Sequence, residues 1–161
     1  MILDTNVLLT ANGDAQHAPA HCVTRCLETL VETRHTAVAL DMGQEILAEY
    51  HRNVRNGFPL GPALQFVREL LQNLGNPERC ELVFITPDGT RGYAEFPGDD
   101  RLAAFDPSDR KFVAVSIASP SQHEILNAVD TDWAPADAAL RAHGVEVRYL
   151  CPSFTRPPGT A

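Results

Sequence analysis

Three aspartates stand where the predicted secondary structure would bring carboxylates to one edge of a sheet. Asp4 closes the apolar run at the start of the chain, and Asp130 closes another apolar run over 125–129. Asp109 lies in the first turn of a helix predicted to begin at Asp106. Because ligands bind beyond the carboxyl ends of parallel strands, these side chains are candidates for a shared site.

Two glutamates could join these aspartates. Glu45 and Glu49 are four residues apart on a helix predicted over 42–54, so they share one face of that helix. With this helix start, Glu49 lies about 12 Å along the axis from Asp41, and Glu45 lies nearer to the sheet edge. At this point either glutamate remains a candidate ligand.

Carboxylates that are brought together repel each other, and a divalent cation removes that repulsion. Oxygen ligands alone favour Mg²⁺ or Mn²⁺ over zinc or copper. Such an ion activates water and neutralises the charge of a phosphodiester, which is the chemistry of metal-dependent nucleases. The sequence contains no G-x-S-x-G element, no P-loop and no dinucleotide-binding glycine pattern, so those other chemistries have no support.

The elements that must position the acids alternate along the chain. Strands are predicted at 1–4, 36–40, 82–85, 125–129 and 145–150, and helices at 19–33, 42–54, 64–74, 106–118 and 135–143. Strands that are apolar throughout and alternate with helices indicate an α/β fold with a parallel central sheet and helices on both faces. The turn-rich segment 87–101 is predicted to be irregular, with a hairpin within 82–96.

Two helix starts are predicted from capping residues. Asp41 is the predicted N-cap of the helix over 42–54, with Gln44 completing a capping box. Asp106 is the predicted N-cap of a later helix, with Pro107 at its first position and Asp109 at its third.

Composition and charge limit the classes of protein that fit. The chain has 161 residues, 44% hydrophobic and 21% charged, which is typical of one globular domain. We expect that domain over 1–150, followed by a loose, Pro-rich tail over 151–161. The net charge of -8 argues against a protein that attracts nucleic acid through its overall charge. No apolar stretch is long enough for a membrane span and no signal peptide is visible, so we expect a cytoplasmic protein with reduced thiols.

Four segments of the chain resemble the PIN-domain ribonuclease family. They are Ile2 to Leu9, Leu47 to Tyr50, Asp109 to Val115 and Asn127 to Trp133, and they follow one another in that family's order. The resemblance implies a PIN-like, Rossmann-like three-layer sandwich and a metal-dependent endoribonuclease with Mg²⁺ or Mn²⁺. Many members are toxins of toxin–antitoxin pairs and many are homodimers. The implied partners are therefore RNA, an antitoxin protein and a second copy of the chain.

Carried over to this sequence, the resemblance gives each candidate residue a role. The metal-binding acids would be Asp4, Glu49, Asp109 and Asp130, with Asp132 as a further acid of the metal set. Asn6 would hold Asp4 by hydrogen bonding, and Glu45 would be a supporting residue. The side chains that could approach a phosphate backbone are those of Arg52, Arg110 and Lys111, and Trp133 is expected to pack beneath the site.

Two other functions remain open from the sequence alone. A PIN-like domain could bind RNA or a protein partner without cleaving RNA, which the net charge of -8 favours. The same acids would also suit a Mg²⁺-dependent phosphohydrolase that acts on small phosphoesters. Each acid also has an ordinary structural interpretation, as a turn residue, a helix-dipole partner or part of a solvated helix face.

Overall fold

The computed structural model describes residues 1–54 and 61–155, apart from the side chain of Phe154. Its strands are β1 (Ile2–Leu3), β2 (Val38–Asp41), β3 (Cys80–Val83), β4 (Pro87–Asp88), β5 (Gly92–Tyr93), β6 (Ile125–Asn127) and β7 (Val147–Tyr149). Its helices are α1 (Thr5–Ala11), α2 (Ala20–Glu32), α3 (Glu45–Val54), α4 (Pro62–Gln72), α5 (Arg110–Ala118), α6 (Trp133–Ala142) and α7 (Pro152–Thr155). Short 3₁₀ helices occupy Thr33–His35 and Asp100–Leu102.

The strands that carry the core pair in parallel. Strands β1, β6 and β7 form a three-stranded sheet in the order β1-β6-β7. Strand β2 pairs in parallel with β3. The two pairings adjoin where the N–H of Ala39 donates to the carbonyl of Met1 at 2.9 Å. The predicted mixed α/β fold with a parallel sheet is therefore confirmed, although the three-stranded sheet is small.

Both faces of this sheet are covered. Successive side chains of a strand point to opposite faces, and Ile2, Leu3, Ile125 and Leu126 are all fully buried. Helix α5 packs against β1, β2 and β6, and α1 also contacts β6. Because β1 and β6 run parallel, the residues that follow them lie at the same edge of the sheet.

Helix α1 adds an element that the sequence did not predict. Asp4 is its N-cap, and the Asp4 carboxylate accepts a hydrogen bond from the backbone N–H of Asn6. Val7 and Leu8 are fully buried. A helix of seven residues gives too short a window for helical periodicity to stand out from a buried apolar run.

Helix α3 begins at Glu45, three residues later than predicted. The predicted N-cap position of Asp41 and the capping box with Gln44 were wrong, since Asp41 ends β2. The Asp41 carboxylate nevertheless accepts hydrogen bonds from the backbone N–H groups of Glu45 and Ile46, both at 2.8 Å. Gln44 has a φ of 62°, a left-handed conformation outside the helix. The later start places Glu45 in the first turn of the helix and Glu49 in the second.

The predicted start of helix α5 at Asp106 was wrong, since the helix begins at Arg110. The Asp106 carboxylate instead accepts hydrogen bonds from the backbone N–H and the hydroxyl of Ser108. This local turn satisfies the side chain that was predicted to cap the helix. Asp109 takes the N-cap position, and its side chain makes no capping hydrogen bond.

The segment before α5 contains the predicted hairpin, formed by the antiparallel pair β4 and β5. The guanidinium of Arg110 fastens this segment to α5. It donates to the carbonyls of Arg91, Ala103 and Phe105, and it lies 4.8 Å from the centroid of the Phe96 ring. Arg110 therefore holds the hairpin and the following loop against the start of α5.

The cysteines differ from the expectation of reduced thiols. Cys22 of α2 and Cys151 form a disulfide, with their Cα atoms 5.6 Å apart, whereas Cys26 and Cys80 are free and buried. The bond fixes the start of α7 to α2. The predicted loose tail thus contains a helical turn at 152–155, and residues 156–161 lie outside the described part of the chain. No helix within the described ranges is long and apolar enough to cross a bilayer.

Candidate metal centre

Three aspartates from distant parts of the chain meet at one edge of the sheet. Asp4 follows β1, Asp130 lies beyond the end of β6, and Asp109 precedes α5. One carboxylate oxygen of each lies within 4.8 Å of the others. Asp4 and Asp109 are buried, with 4% and 8% of their surface exposed, and Asp130 is half-buried. These three residues are called the aspartate cluster below.

Two donors fix the orientation of Asp4. The backbone N–H of Asn6 donates to its Oδ1 at 2.9 Å, and the indole N–H of Trp133 donates to its Oδ2 at 2.6 Å. Trp133 is fully buried, so it packs beneath the site as expected. The hydrogen bond from Trp133 was not predicted, and the spacing of a tryptophan after a strand-closing acid was the one signal that pointed to it.

The side chain of Asn6 joins the ends of the two neighbouring strands. Its amide donates to Oδ1 of Asn127 at 3.0 Å, and its carbonyl accepts from the backbone N–H of Ala128 at 2.7 Å. Asn127 in turn donates to the backbone carbonyl of Asp130 at 2.7 Å. These bonds turn the chain away from the ladder after Asn127, so β6 ends two residues earlier than predicted and Asp130 faces Asp4.

Burial acts on all three carboxyls, and the charges of neighbouring acids add to its effect. Burial raises the pKa of Asp109 to about 8, the charges of Asp4 and Asp130 act in the same direction, and Lys111 opposes them. Burial also raises the pKa of Asp4 to about 7, because the bonds from Asn6 and Trp133 offset only part of that effect. Burial raises the pKa of Asp130 above its usual range as well.

Glu49 lies beside the aspartate cluster but is held by other partners. Its Oε2 lies 2.6 Å from the ammonium of Lys111, and its Oε1 accepts a hydrogen bond from the hydroxyl of Thr5. Its charge helps to raise the pKa of Asp4. Among the described residues, the group whose oxygens could share one ion consists of Asp4, Asp109 and Asp130 and does not include Glu49.

Glu45 occupies a different place from Glu49 on the same helix. Its Oε2 accepts a hydrogen bond from the hydroxyl of Tyr93 on the hairpin at 2.6 Å. Both glutamates line a cavity of about 300 Å³ together with Tyr93, Arg52 and Lys111. Arg52 is exposed at this cavity, whereas the contacts of Arg110 are with the hairpin and its following loop.

Asp132 supports the centre through its backbone. Its N–H donates to Oδ1 of Asp130 at 2.8 Å, while its side chain is exposed. Asp132 lines a second cavity of about 490 Å³ with Arg101, Asp106 and Pro107. Pro107 borders both cavities, so the segment before α5 separates them.

The donor set of the aspartate cluster fits a hard divalent cation. All of its ligand atoms are carboxylate oxygens, and two oxygens on opposite sides of one Mg²⁺ ion lie about 4.2 Å apart. The observed limit of 4.8 Å is close to that separation. A bound cation would also favour the charged form of the three carboxyls, whose pKa values are raised chiefly by burial. The described residues thus include a buried aspartate cluster that could bind a metal ion.

Comparison of the chain with protein-family models, with curated proteins and with solved structures finds no match.

Proposed function

We propose that the chain is a metal-dependent ribonuclease whose aspartate cluster binds Mg²⁺ or Mn²⁺. The observation that carries the proposal is the meeting of Asp4, Asp109 and Asp130 within 4.8 Å, with pKa values raised above the usual range. Buried carboxyls with strongly raised pKa values cluster at functional sites. Asp4 accepts two hydrogen bonds and Asp130 accepts one, but these partners do not offset the effect of burial on the two pKa values.

Each residue of the centre has a distinct task in this proposal. Asp4, Asp109 and Asp130 would hold the ion, with Asp4 oriented by Trp133 and Asn6. The backbone N–H of Asp132 would fix the rotamer of Asp130. When bound, the ion would supply positive charge at the phosphodiester and activate water for attack on phosphorus.

RNA is the proposed substrate because of the four segments that resemble PIN-domain ribonucleases. The two cavities meet at Pro107, and each is lined by a neighbour of the cluster, Glu49 in one and Asp132 in the other, so they are the proposed path of an extended strand. Arg52 lines one cavity and carries a guanidinium that can bind phosphate, whereas Arg101 in the other cavity is paired with the carboxylate of Asp99 at 2.6 Å. In this proposal the fold is a PIN-like three-layer sandwich, the protein acts in the cytoplasm, and an antitoxin or a second copy of the chain is its protein partner.

The test is cleavage of a single-stranded RNA in the presence of Mn²⁺. We expect wild type to cleave the RNA and Asp109→Asn to lose at least roughly 100-fold in rate, because the ion loses a ligand at the reacting centre. Asp14→Asn is the matched control, since Asp14 is an exposed aspartate beyond the far end of α1 and should retain full activity. Equal rates for wild type and Asp109→Asn would overturn the assignment.

The second candidate function is binding of RNA or protein without cleavage. The observation that favours it is the net charge of -8, together with the use of Arg110 for the hairpin rather than for a ligand. Wild type that binds Mn²⁺ but cleaves neither RNA nor a small phosphomonoester would support this function. Hydrolysis of the monoester alone would support the phosphohydrolase.

A further inference from the structure

Lys111 is the only lysine of the chain, and it is buried beside the aspartate cluster. Only 7% of its side chain is exposed. Its ammonium lies 2.6 Å from Oε2 of Glu49, donates to the backbone carbonyl of Ser108, and lies 4.6 Å from the centroid of the Phe112 ring. An ammonium with these partners is held at one place, unlike the mobile head group of a surface lysine.

The partner of Lys111 is Glu49, the further acid that a centre with two metal ions would need as a ligand. Glu49 uses one carboxylate oxygen for Lys111 and the other for the hydroxyl of Thr5. Thr5 directly follows Asp4, and Lys111 lies two residues after Asp109, so both partners of Glu49 come from segments that carry the cluster. An ion on Glu49 would have to share its carboxylate with the ammonium of Lys111, whose charge repels a cation.

Two-metal sites hold their ions about 3.5–4 Å apart, with carboxylates on both sides. Here the carboxylate beside the aspartate cluster is already neutralised by a cation that belongs to the chain. We propose that the ammonium of Lys111 takes the place of a second divalent ion, so that the centre binds one ion, on Asp4, Asp109 and Asp130. This inference rests on the proposed metal-binding function and adds the number of ions to it.

The experiment is a calorimetric titration of the full chain with Mn²⁺ alone. We expect wild type to bind about one ion per chain and Lys111→Met to bind about two, the difference between one-metal and two-metal centres. Lys111→Arg keeps the positive charge and should bind about one ion. A merely structural role of Lys111 would change stability in these variants without changing the number of ions bound.

A double variant shows whether Glu49 is the ligand that Lys111 neutralises. Glu49→Gln/Lys111→Met has neither charge of the pair, so it should fold and return to about one ion, as expected of a one-metal centre. Lys111→Gln provides a second neutral variant if Lys111→Met does not fold, which circular dichroism would detect. Two ions bound by the double variant would overturn the inference.

The remaining outcomes separate this inference from the function on which it rests. Wild type that binds two ions would overturn the role of Lys111 and leave the aspartate cluster as a metal centre. One ion in both neutral Lys111 variants would do the same. Wild type that binds no Mn²⁺ would overturn both the proposed function and the inference.

Discussion

The aspartate cluster at the edge of the sheet and Glu81 of β3 are both shielded from water and differ in their partners. The aspartate cluster has three carboxylates and few donors. Glu81 is a single carboxylate with three polar partners. Its Oε2 accepts a hydrogen bond from the hydroxyl of Ser121 at 2.8 Å and lies 2.9 Å from Nε2 of His123. Its Oε1 accepts a hydrogen bond from the hydroxyl of Ser119. Both environments remove carboxylates from water, but only around Glu81 do the hydrogen bonds outweigh the effect of burial on the pKa.

The pKa values follow this difference. Burial alone would raise the pKa of Glu81, but the hydrogen bonds from Ser119, His123 and Ser121 lower it below its usual range. In the aspartate cluster, burial and like charges raise the pKa values of Asp4 and Asp109 to about 7 and about 8. A carboxylate with a full set of donors acts as a structural tie, whereas a carboxylate without them favours a proton or a cation.

The largest expected effect is stabilisation by Mn²⁺. An ion that binds only the folded state at 100 times its dissociation constant adds about 2.7 kcal/mol to the free energy of unfolding. That gain raises Tm by roughly 5–10 °C in a chain of this size. Asp4→Asn should abolish this shift. Scanning calorimetry with and without Mn²⁺ measures this shift. An unchanged wild-type Tm at millimolar Mn²⁺ would mean that the aspartate cluster binds no ion and has only a structural role, as Glu81 has.

The second largest expected effect is the loss of stability when Glu81 loses its charge. Glu81→Gln should lower the free energy of unfolding by about 2 kcal/mol at pH 7, because hydrogen bonds to a charged group are lost. The folded pKa of Glu81 is lowered, so its stabilisation is present above the ordinary pKa of 4.5 and is lost as pH falls below it. Urea denaturation at pH 7 and pH 3 measures this difference.

The control in this case is metal binding by the same variant. Glu81→Gln should retain the full Tm shift with Mn²⁺, because Glu81 and its partners lie outside the aspartate cluster. Loss of the shift in Glu81→Gln would mean that the two groups of acids act as one site, and the contrast between them would be lost.

The site could be predicted from the sequence to the extent that local patterns and parallel topology determine it. The apolar runs before Asp4 and Asp130 become neighbouring parallel strands, so topology brings both acids to one edge. The bonds of Asn6 and Asn127 then turn Asp130 toward Asp4. The sequence also placed Asp109 near them, but from a helix start that was wrong. It was predicted inside the first turn of α5, but it precedes the helix because Asp106 bonds to Ser108 instead of capping.

What could not be predicted depends on contacts between residues that are far apart in the chain. The pair of Glu49 and Lys111, the bond from Trp133 to Asp4 and the donors around Glu81 each join separate elements. A single sequence offers at most a spacing, as for Trp133, and does not determine which of several acids acquires such a partner. The choice between Glu45 and Glu49 also depended on the start of α3, and capping residues predict helix ends only to within a few residues.

The smallest expected effect tests the repulsion within the aspartate cluster without any metal. The folded pKa of Asp109 is about 8 against an ordinary 3.8, so the folded state binds more protons between these values and the stability of wild type falls as pH rises through that range. Asp109→Asn removes the titrating group. Near pH 4 the two proteins carry a similar neutral side chain and should have similar stability.

At pH 8 the metal-free Asp109→Asn variant should be more stable than wild type by at least about 1 kcal/mol, the equivalent of less than one pKa unit. Urea denaturation in the presence of a chelator, at pH 4 and pH 8, measures the change in this difference. The same variant should gain nothing from Mn²⁺, so it would be stabilised without the ion and inactive with it. A variant less stable than wild type at pH 8 would mean that the Asp109 carboxylate is stabilised by contacts within the fold, as Glu81 is, and that its position needs no cation.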